Sequence, residues 1–102
     1  MKKEITIKYK ANEFMLLKEL YERTVCVDMS KDIEDRLLIA VLLNVYRKIY
    51  KQAVEMKSKY SLKYRAEEAI AFILYFNGYP AQNIYEQLLI NATIEKADRT
   101  IL

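Results

Sequence analysis

The sequence predicts a mainly α-helical fold, in which one short N-terminal β-strand precedes a four-helix, bundle-like domain. Residues 4 to 10 alternate apolar and polar side chains, the later residues repeat apolar positions at helical spacing, and one glycine and one proline provide the clearest break. A chain of 102 residues has room for one hydrophobic core, so we expect a single domain over residues 1–102. Apolar residues at 53% and charged residues at 30% suffice for that core and a solvated surface.

The predicted strand spans residues 4 to 10 and is the only segment in which the alternation is convincing. A lone strand cannot satisfy its own N–H and C=O groups, so it must pair, fray or lie across the helices. Pairing with its copy in a second subunit is the simplest solution, and twofold symmetry is common in oligomers. We therefore expect a homodimer in which the apolar face of the strand enters the core, and that face consists of Ile5, Ile7 and Tyr9.

The first predicted helix runs from Ala11 to about Thr24, with Asn12 as its N-cap. Its apolar residues recur at helical spacing and are Phe14, Leu17, Leu20 and Tyr21. The connector that follows, Val25 to Met29, contains β-branched residues that weaken the helical pattern. Cys26 has apolar neighbours there, and we expect it to be a small buried side chain.

The second predicted helix begins at a cap formed by Ser30 or Asp32 and reaches about Lys57. Its apolar positions have heptad-like steps of three and four, and they are Ile39, Leu42, Tyr46, Ile49, Ala53, Met56 and Tyr60. The run from residue 37 to residue 43 is apolar on every side, which favours burial in the bundle centre or in a subunit contact. Leu38 and Leu42 are therefore candidate dimer contacts, together with the apolar face of the strand.

A third helix is expected after Ser61, which is a suitable N-cap, and it should end where Gly78 can adopt a left-handed cap and Pro80 follows. The fourth helix begins at about Gln82 or Asn83. One apolar stripe of this helix consists of Ile84, Leu88 and Ala92. We expect no internal repeat and no flexible linker.

The residue types present exclude the common catalytic arrangements. With no histidine, one cysteine and one glycine, the chain can form no Ser-His-Asp or Cys-His arrangement, structural zinc site or glycine-rich phosphate loop. Two acidic clusters remain, but both stand in the first turns of predicted helices, where the helix dipole favours acids; they are Glu67 with Glu68, and Asp32 with Glu34 and Asp35. We therefore expect no enzyme, no catalytic residue, no cofactor and no metal. A small-molecule site in the core is the least favoured alternative, because orienting polar groups are scarce on the apolar stripes.

The hydropathy pattern predicts a cytoplasmic protein without a membrane span. The longest apolar runs, residues 37 to 43 and residues 69 to 76, have seven and eight residues. Roughly 18 or more are needed to cross a bilayer. The N-terminal residues also lack the apolar stretch of a secretory signal.

Positive charge is concentrated in one segment. The net charge of the chain is +3, but residues 47 to 65 hold seven basic groups and one acidic group. A basic stripe with interleaved tyrosines suits phosphate contacts and base stacking, so Arg47, Lys48 and Lys51 are candidate nucleic-acid contacts. The alternative is that these lysines complement the dipole of the second helix and keep it solvated.

The order of strand, helix and helix over residues 3 to about 50 resembles the ribbon-helix-helix repressors, in which two chains pair their strands and place the ribbon in the major groove. The resemblance implies that Thr6, Lys8 and Lys10 occupy the outward positions used for base contacts. It also implies that Ser30 begins the second helix, where a helix N-terminus can bind phosphate. The connector of this chain differs from that family in being longer and free of glycine.

Two functions therefore compete. The first is a non-catalytic, homodimeric interaction domain that presents a surface to a protein partner, because the chain has more apolar surface than a monomeric bundle needs. The alternative is a DNA-binding regulator that uses the N-terminal strand. An intermolecular ribbon with Thr6 and Lys8 on an exposed basic face would favour DNA, whereas a strand packed along its own bundle would favour the interaction domain.

Overall fold

The computed structural model describes residues 4–101. As predicted, the chain is mostly helical and has four α-helices and a strand at residues 4 to 10. The fold is compact, with extents of 38 × 34 × 25 Å, and none of the helices in the described range is long and apolar enough to cross a membrane. In chain order the elements are β1 (Glu4–Lys10), α1 (Ala11–Arg23), a 3-10 turn (Val25–Val27), α2 (Ile33–Ala53), β2 (Lys59–Arg65), α3 (Ala66–Phe76) and α4 (Ile84–Ile101).

The partner of β1 is a second strand of the same chain, which sequence reasoning missed. β2 runs antiparallel to β1, and Ile7 lies opposite Leu62 at the centre of the pair. The sequence predicts that the second helix ends in this region and that Ser61 caps the third helix. Residues 59 to 65 instead alternate between exposed and buried side chains, in the same pattern as β1. The N–H and C=O groups that β1 turns towards β2 are therefore paired within one chain, which removes the original reason to expect strand pairing between subunits.

The chain contains an internal repeat, contrary to the expectation. Residue n of β1 and α1 corresponds to residue n + 55 of β2 and α3, and four identical pairs result: Lys8 and Lys63, Tyr9 and Tyr64, Ala11 and Ala66, Glu13 and Glu68. The packing has the same symmetry, because α1 and α3 each contact both of the longer helices, α2 and α4. Ile7 and Leu62 are both equivalent in the repeat and opposite in the sheet, so the pseudo-twofold axis passes between them.

The helices that follow the strands begin in the same way. The backbone N–H of Lys10 donates to Glu13 Oε1 at 2.8 Å, and the N–H of Arg65 donates to Glu68 Oε1 at 2.8 Å. Each glutamate thus satisfies a backbone group at the junction of strand and helix. The predicted N-cap Asn12 lies inside the first turn of α1 instead.

The starts of α2 and α4 and the end of α3 lie close to the predicted positions. Asp32 caps α2 by accepting from the N–H of Glu34, and Asn83 accepts from the N–H of Glu86 at the start of α4. Gly78 has a φ of +77°, the left-handed conformation expected for the only glycine. These boundaries depend on hydrogen bonds between residues that are close in the chain, so the sequence is sufficient to predict them.

The apolar run 37 to 43 does not lie at the centre of the helices. Only one side of it faces the core: Leu42 is fully buried, but Leu37 is 69% exposed. The reason is that α2 packs against α1 on one side and α3 on the other, leaving its outer face uncovered within one chain. Burial of that outer face in a subunit contact stays a prediction.

Two other predictions in this region were wrong. Cys26 is exposed rather than buried. The second helix ends at Ala53 rather than near residue 57.

Candidate nucleic-acid interface

The two-stranded sheet, here called the ribbon (Glu4–Lys10 and Lys59–Arg65), has one apolar and one basic face. Every inward side chain is buried against the helices. All eight outward side chains are exposed, and they comprise five cations, one carboxylate and two hydroxyls: Lys8, Lys10, Lys59, Lys63, Arg65, Glu4, Thr6 and Ser61. The ribbon therefore presents concentrated positive charge with hydroxyl groups between the lysines.

The hydroxyls and cations of the ribbon are arranged symmetrically. Thr6 lies opposite Lys63, and Lys8 lies opposite Ser61. Under the repeat, Thr6 corresponds to Ser61 and Lys8 to Lys63, so the two cross-strand pairs are copies related by the pseudo-twofold axis. The outward pattern of hydroxyl, lysine and cation continues to Lys10 on β1 and to its equivalent Arg65 on β2.

The dimensions of the ribbon match the major groove of B-DNA. Seven residues per strand extend over about 20 Å, and the two strands lie about 5 Å apart. The major groove is roughly 12 Å wide and admits a two-stranded ribbon. The outward side chains could therefore reach base edges and both flanking phosphate rows.

Side chains of α2 cover the outer edge of β2. Lys48 Nζ donates to the carbonyl of Lys63 at 2.9 Å, and Gln52 Nε2 donates to the carbonyl of Ser61 at 2.9 Å. Lys48 Nζ also lies 2.7 Å from Oε1 of Glu68, whose side chain is only 4% exposed. The ammonium group of Lys48 is thus paired within the chain, and its contacts hold α2 against the ribbon. Together with Gln52 it covers the outer edge of β2, which protects that edge from pairing with a further strand.

The other two basic candidates on α2 remain at the surface. Arg47 and Lys51 are exposed, and each stands one position before a residue of α2 that contacts β2. They also line a shallow depression of about 320 Å³ with Tyr46 and Tyr50. Of the three tyrosines interleaved with the basic residues of this segment, Tyr50 is exposed, but Tyr60 and Tyr64 are buried beneath the ribbon and are not available to stack on bases.

Ser30 does not lie near the ribbon. Its hydroxyl donates to Asp35 Oδ2 at 3.1 Å and its N–H to Asp28 Oδ1 at 2.9 Å. Ile33, where α2 begins, is about 23 Å along the helix from Lys48, which contacts the ribbon. Because carboxylates surround Ser30, the implied phosphate contact at this position finds no support in its surroundings.

The candidate dimer contacts lie inside one chain. Leu38 is half-buried, and four are at most 6% exposed: Ile5, Ile7, Tyr9 and Leu42. In this fold those four have almost no surface to offer a second copy. Exposed apolar side chains are found elsewhere, notably at Ile33, Leu37, Ile70 and Leu74 on α2 and α3.

The second strand of the ribbon supplies residues that sequence reasoning did not single out. These are Lys59, Ser61, Lys63 and Arg65. The alternation of Tyr60, Leu62 and Tyr64 was a visible signal of the strand, but Tyr60 also fitted the heptad-like spacing of the preceding helix. Both periods matched this short segment, and only the pairing with β1 distinguishes them.

The acidic clusters have structural partners where they are buried. Glu68 is paired with Lys48 and accepts from the N–H of Arg65, while Asp32 caps α2. Within residues 4–101 no group of three or more cysteine, aspartate or glutamate side chains is placed to hold a metal ion. Comparison of the chain with protein-family models, with curated proteins and with solved structures finds no match in any of the three.

Proposed function

We propose that this protein binds duplex DNA and that the outer face of the ribbon enters the major groove. The observation that carries this proposal is the basic ribbon itself, in which Thr6 and Lys8 of one strand are matched by Ser61 and Lys63 of the other. Lysine bonds to guanine O6 and N7 or to phosphate, and hydroxyls bond to several base edges. The strand pairs within its own chain and packs on its own helices, which is the arrangement expected for an interaction domain, so the proposal depends on the exposed basic outer face of the ribbon and not on pairing between subunits.

Because both strands of the ribbon belong to one chain, the proposed DNA binding does not require a dimer. In the expected arrangement a second subunit was needed to complete the strand pair. Here Ile7 and Leu62 pair inside a single chain, and the helices behind them form one core. A monomer would therefore present a complete reading surface, and the exposed Arg47 and Lys51 are further candidate phosphate contacts on α2.

Fluorescence anisotropy with a labelled duplex of mixed sequence tests this function. Because each substitution replaces a cation with an anion on the reading face, we expect Lys8→Glu and Lys63→Glu each to weaken binding by about tenfold or more. Arg36→Glu is the matched control, since Arg36 is exposed in the first turns of α2, far from the ribbon. Equal losses for all three variants, or no binding by the unmodified chain at low salt, would refute the proposal.

The second candidate is a homodimeric interaction domain, and a specific apolar surface favours it. Exposed apolar side chains lie on two neighbouring helices, with Ile33 and Leu37 on α2 at 80% and 69% exposure and Ile70 and Leu74 on α3 at 43% and 62%. Contacts at Lys48 with Glu68 and at Asp28 with Tyr75 make the two helices antiparallel, which places Leu74 near the Leu37 end of α2. We call these four apolar residues the α2/α3 face.

A second copy is a suitable occupant of the α2/α3 face because the charges along α2 are complementary to themselves. The helix begins with Glu34 and Asp35 and carries Arg47 and Lys51 towards its other end. An antiparallel, twofold contact between two α2 helices would bring the acidic end of each copy near the basic end of the other. Ile33 and Leu37 stand at the acidic end of α2, so in this contact they would be covered by the basic end of the other copy.

Light scattering after size exclusion tests the second candidate. We expect a dimer that Leu37→Glu and Leu74→Glu convert to monomer, because each places a charge in the apolar contact. Met56→Glu is the control, since Met56 is fully exposed in the connector before β2. A strict monomer at tens of micromolar would remove this candidate and leave DNA binding by the ribbon unaffected.

A further inference from the structure

A groove runs between α1 and α4, on a side of the molecule that neither proposed function uses. Its volume is about 810 Å³, within the range of pockets that enclose organic ligands or side-chain anchors. The walls are mainly apolar, and the lining includes Met15 and Leu16 of α1 and Leu88, Leu89 and Ala92 of α4. The groove is thus an apolar surface with a defined shape.

The apolar stripe of α4 is largely uncovered by the rest of the described structure. Sequence periodicity placed Ile84, Leu88 and Ala92 together, as a core-facing stripe of a bundle helix would be. In the structure α4 turns other residues to the core, and Ile84 and Leu88 are 68% and 59% exposed. Tyr85 is 74% exposed beside them. Apolar surface of this extent, gathered along a groove, is typical of a docking site.

The charged residues that line the groove indicate the sign of the charge on its partner. Glu13 and Glu19 are among the lining residues, and no lysine or arginine is. One oxygen of Glu13 accepts from the N–H of Lys10, which leaves its negative charge in place at the end of the groove. Glu19 is exposed one turn after Met15. An apolar groove with acidic residues and no cation is complementary to an apolar ligand with basic residues.

The length of the groove fits a short helix. The lining extends over about 10 Å along α1 and about 13 Å along α4, which corresponds to two or more helical turns. A helix bound in such a groove contributes apolar anchors at positions i, i+4 and i+7 and keeps its polar face in solvent. Basic residues that flank those anchors would lie beside Glu13 and Glu19.

We infer that the groove between α1 and α4 binds a basic amphipathic helix of a partner protein. Leu88 and Met15 contact the apolar anchors of that helix, and Glu19 pairs with a lysine or arginine on its flank. The groove and the outer face of the ribbon share no residue, because the ribbon presents Thr6, Lys8 and their equivalents in the repeat. A basic partner could therefore occupy the groove while the ribbon is bound to DNA.

Isothermal titration calorimetry with two synthetic peptides tests the inference. The probe is an amphipathic peptide of leucine and lysine, and the control peptide has glutamate in place of every lysine. We expect the basic peptide to bind with one site per chain and the acidic peptide to bind at least tenfold more weakly. Leu88→Lys and Glu19→Lys should each weaken the basic peptide by about tenfold, which corresponds to about 1.4 kcal/mol.

Matched variants outside the groove separate it from general surface effects. Met56→Lys and Glu67→Lys make comparable changes at exposed positions, and both should retain binding of the basic peptide. Equal binding of the two peptides, or equal losses for Leu88→Lys and Met56→Lys, would overturn the inference. So would a loss of peptide affinity as the protein concentration is raised, since it would assign the groove to a second copy. Lys8→Glu should retain peptide binding even if it abolishes DNA binding.

Discussion

The hydroxyl of Tyr9 lies 3.0 Å from the hydroxyl of Tyr64, and these two residues occupy equivalent positions in the two repeats. Either hydroxyl can donate in this buried hydrogen bond. Tyr9 Oη also lies 3.1 Å from Thr93 Oγ1, so the network joins both strands of the ribbon to α4. It lies directly beneath the outer face of the ribbon, and we expect it to hold the two strands in register.

Removal of the Tyr9 hydroxyl should destabilise the fold. Tyr9→Phe leaves the hydroxyls of Tyr64 and Thr93 without this shared partner, so we expect a loss of about 1 to 3 kcal/mol in the free energy of unfolding. Urea denaturation measures the loss. Tyr85→Phe is the matched control, because Tyr85 is 74% exposed and removal of its hydroxyl should cost little. An equal or larger loss for Tyr85→Phe would contradict this account of the network.

Equivalent positions of the ribbon should contribute equally to DNA binding. Lys8 and Lys63 are related by the pseudo-twofold axis, so Lys8→Ala and Lys63→Ala should each lower the slope of log K against log salt by about 1. Titration at several salt concentrations measures both slopes and the stoichiometry, which should be one chain per site. A normal slope in Lys63→Ala with a reduced slope in Lys8→Ala would show that only β1 contacts DNA.

The buried carboxylate of Glu86 should be important for stability. Arg23 donates to Glu86 Oε2, and the Glu86 side chain is fully buried, so the pair fixes the end of α1 to the start of α4. Because the Arg23 side chain is one-third exposed, we expect Glu86→Gln to cost about 2 to 4 kcal/mol, somewhat less than the roughly 3 to 5 kcal/mol of a fully buried pair. Thermal or urea denaturation checks this value. Glu95→Gln removes a surface pair with Arg99 and should cost less than about 0.5 kcal/mol.

Two hydrogen bonds lower the pKa of the Glu22 carboxyl, and each can be removed separately. The larger cause is the bond from Lys18 at 2.7 Å, and the second is the bond from the Tyr46 hydroxyl at 2.6 Å. Lys18→Met should therefore raise the pKa of Glu22 more than Tyr46→Phe does, as measured by NMR titration. Since folding lowers this pKa, its contribution to stability is present above the unfolded pKa and is lost as pH falls. A larger rise in Tyr46→Phe would reverse the assigned order of causes.

Alkaline pH should unfold the protein through its buried tyrosines. Burial raises the pKa of Tyr9 from 10.0 to about 12, and burial also raises the pKa of Tyr21 and of Tyr64. A raised pKa means that the neutral form is favoured in the fold, so its contribution is complete below pH 10 and is lost as pH rises towards 12. Absorbance of tyrosinate and circular dichroism should therefore change together. Ionisation of Tyr9, Tyr21 and Tyr64 near pH 10 without unfolding would contradict their burial.

The sequence was sufficient wherever a structural feature depends on nearby residues. Alternation in residues 4 to 10 predicted β1 with its correct inner and outer faces, because the side-chain period of a strand is two. Local capping groups and the left-handed Gly78 likewise placed the starts of α2 and α4 and the end of α3 close to their observed positions. The outward positions of Thr6, Lys8 and Lys10 required no tertiary information.

Tertiary structure decided how those elements combine. Residues 59 to 65 fit both a helical and an alternating period, and pairing with β1 determines that they form a strand. That pairing satisfies the facing backbone groups of β1 inside the chain, creates the pseudo-twofold ribbon, and adds Ser61 and Lys63 to the candidate interface. The open groove between α1 and α4 has the same origin, because the packing angle of whole helices decides which apolar stripe is covered. Local periodicity shows that a stripe exists, but long-range packing determines its partner.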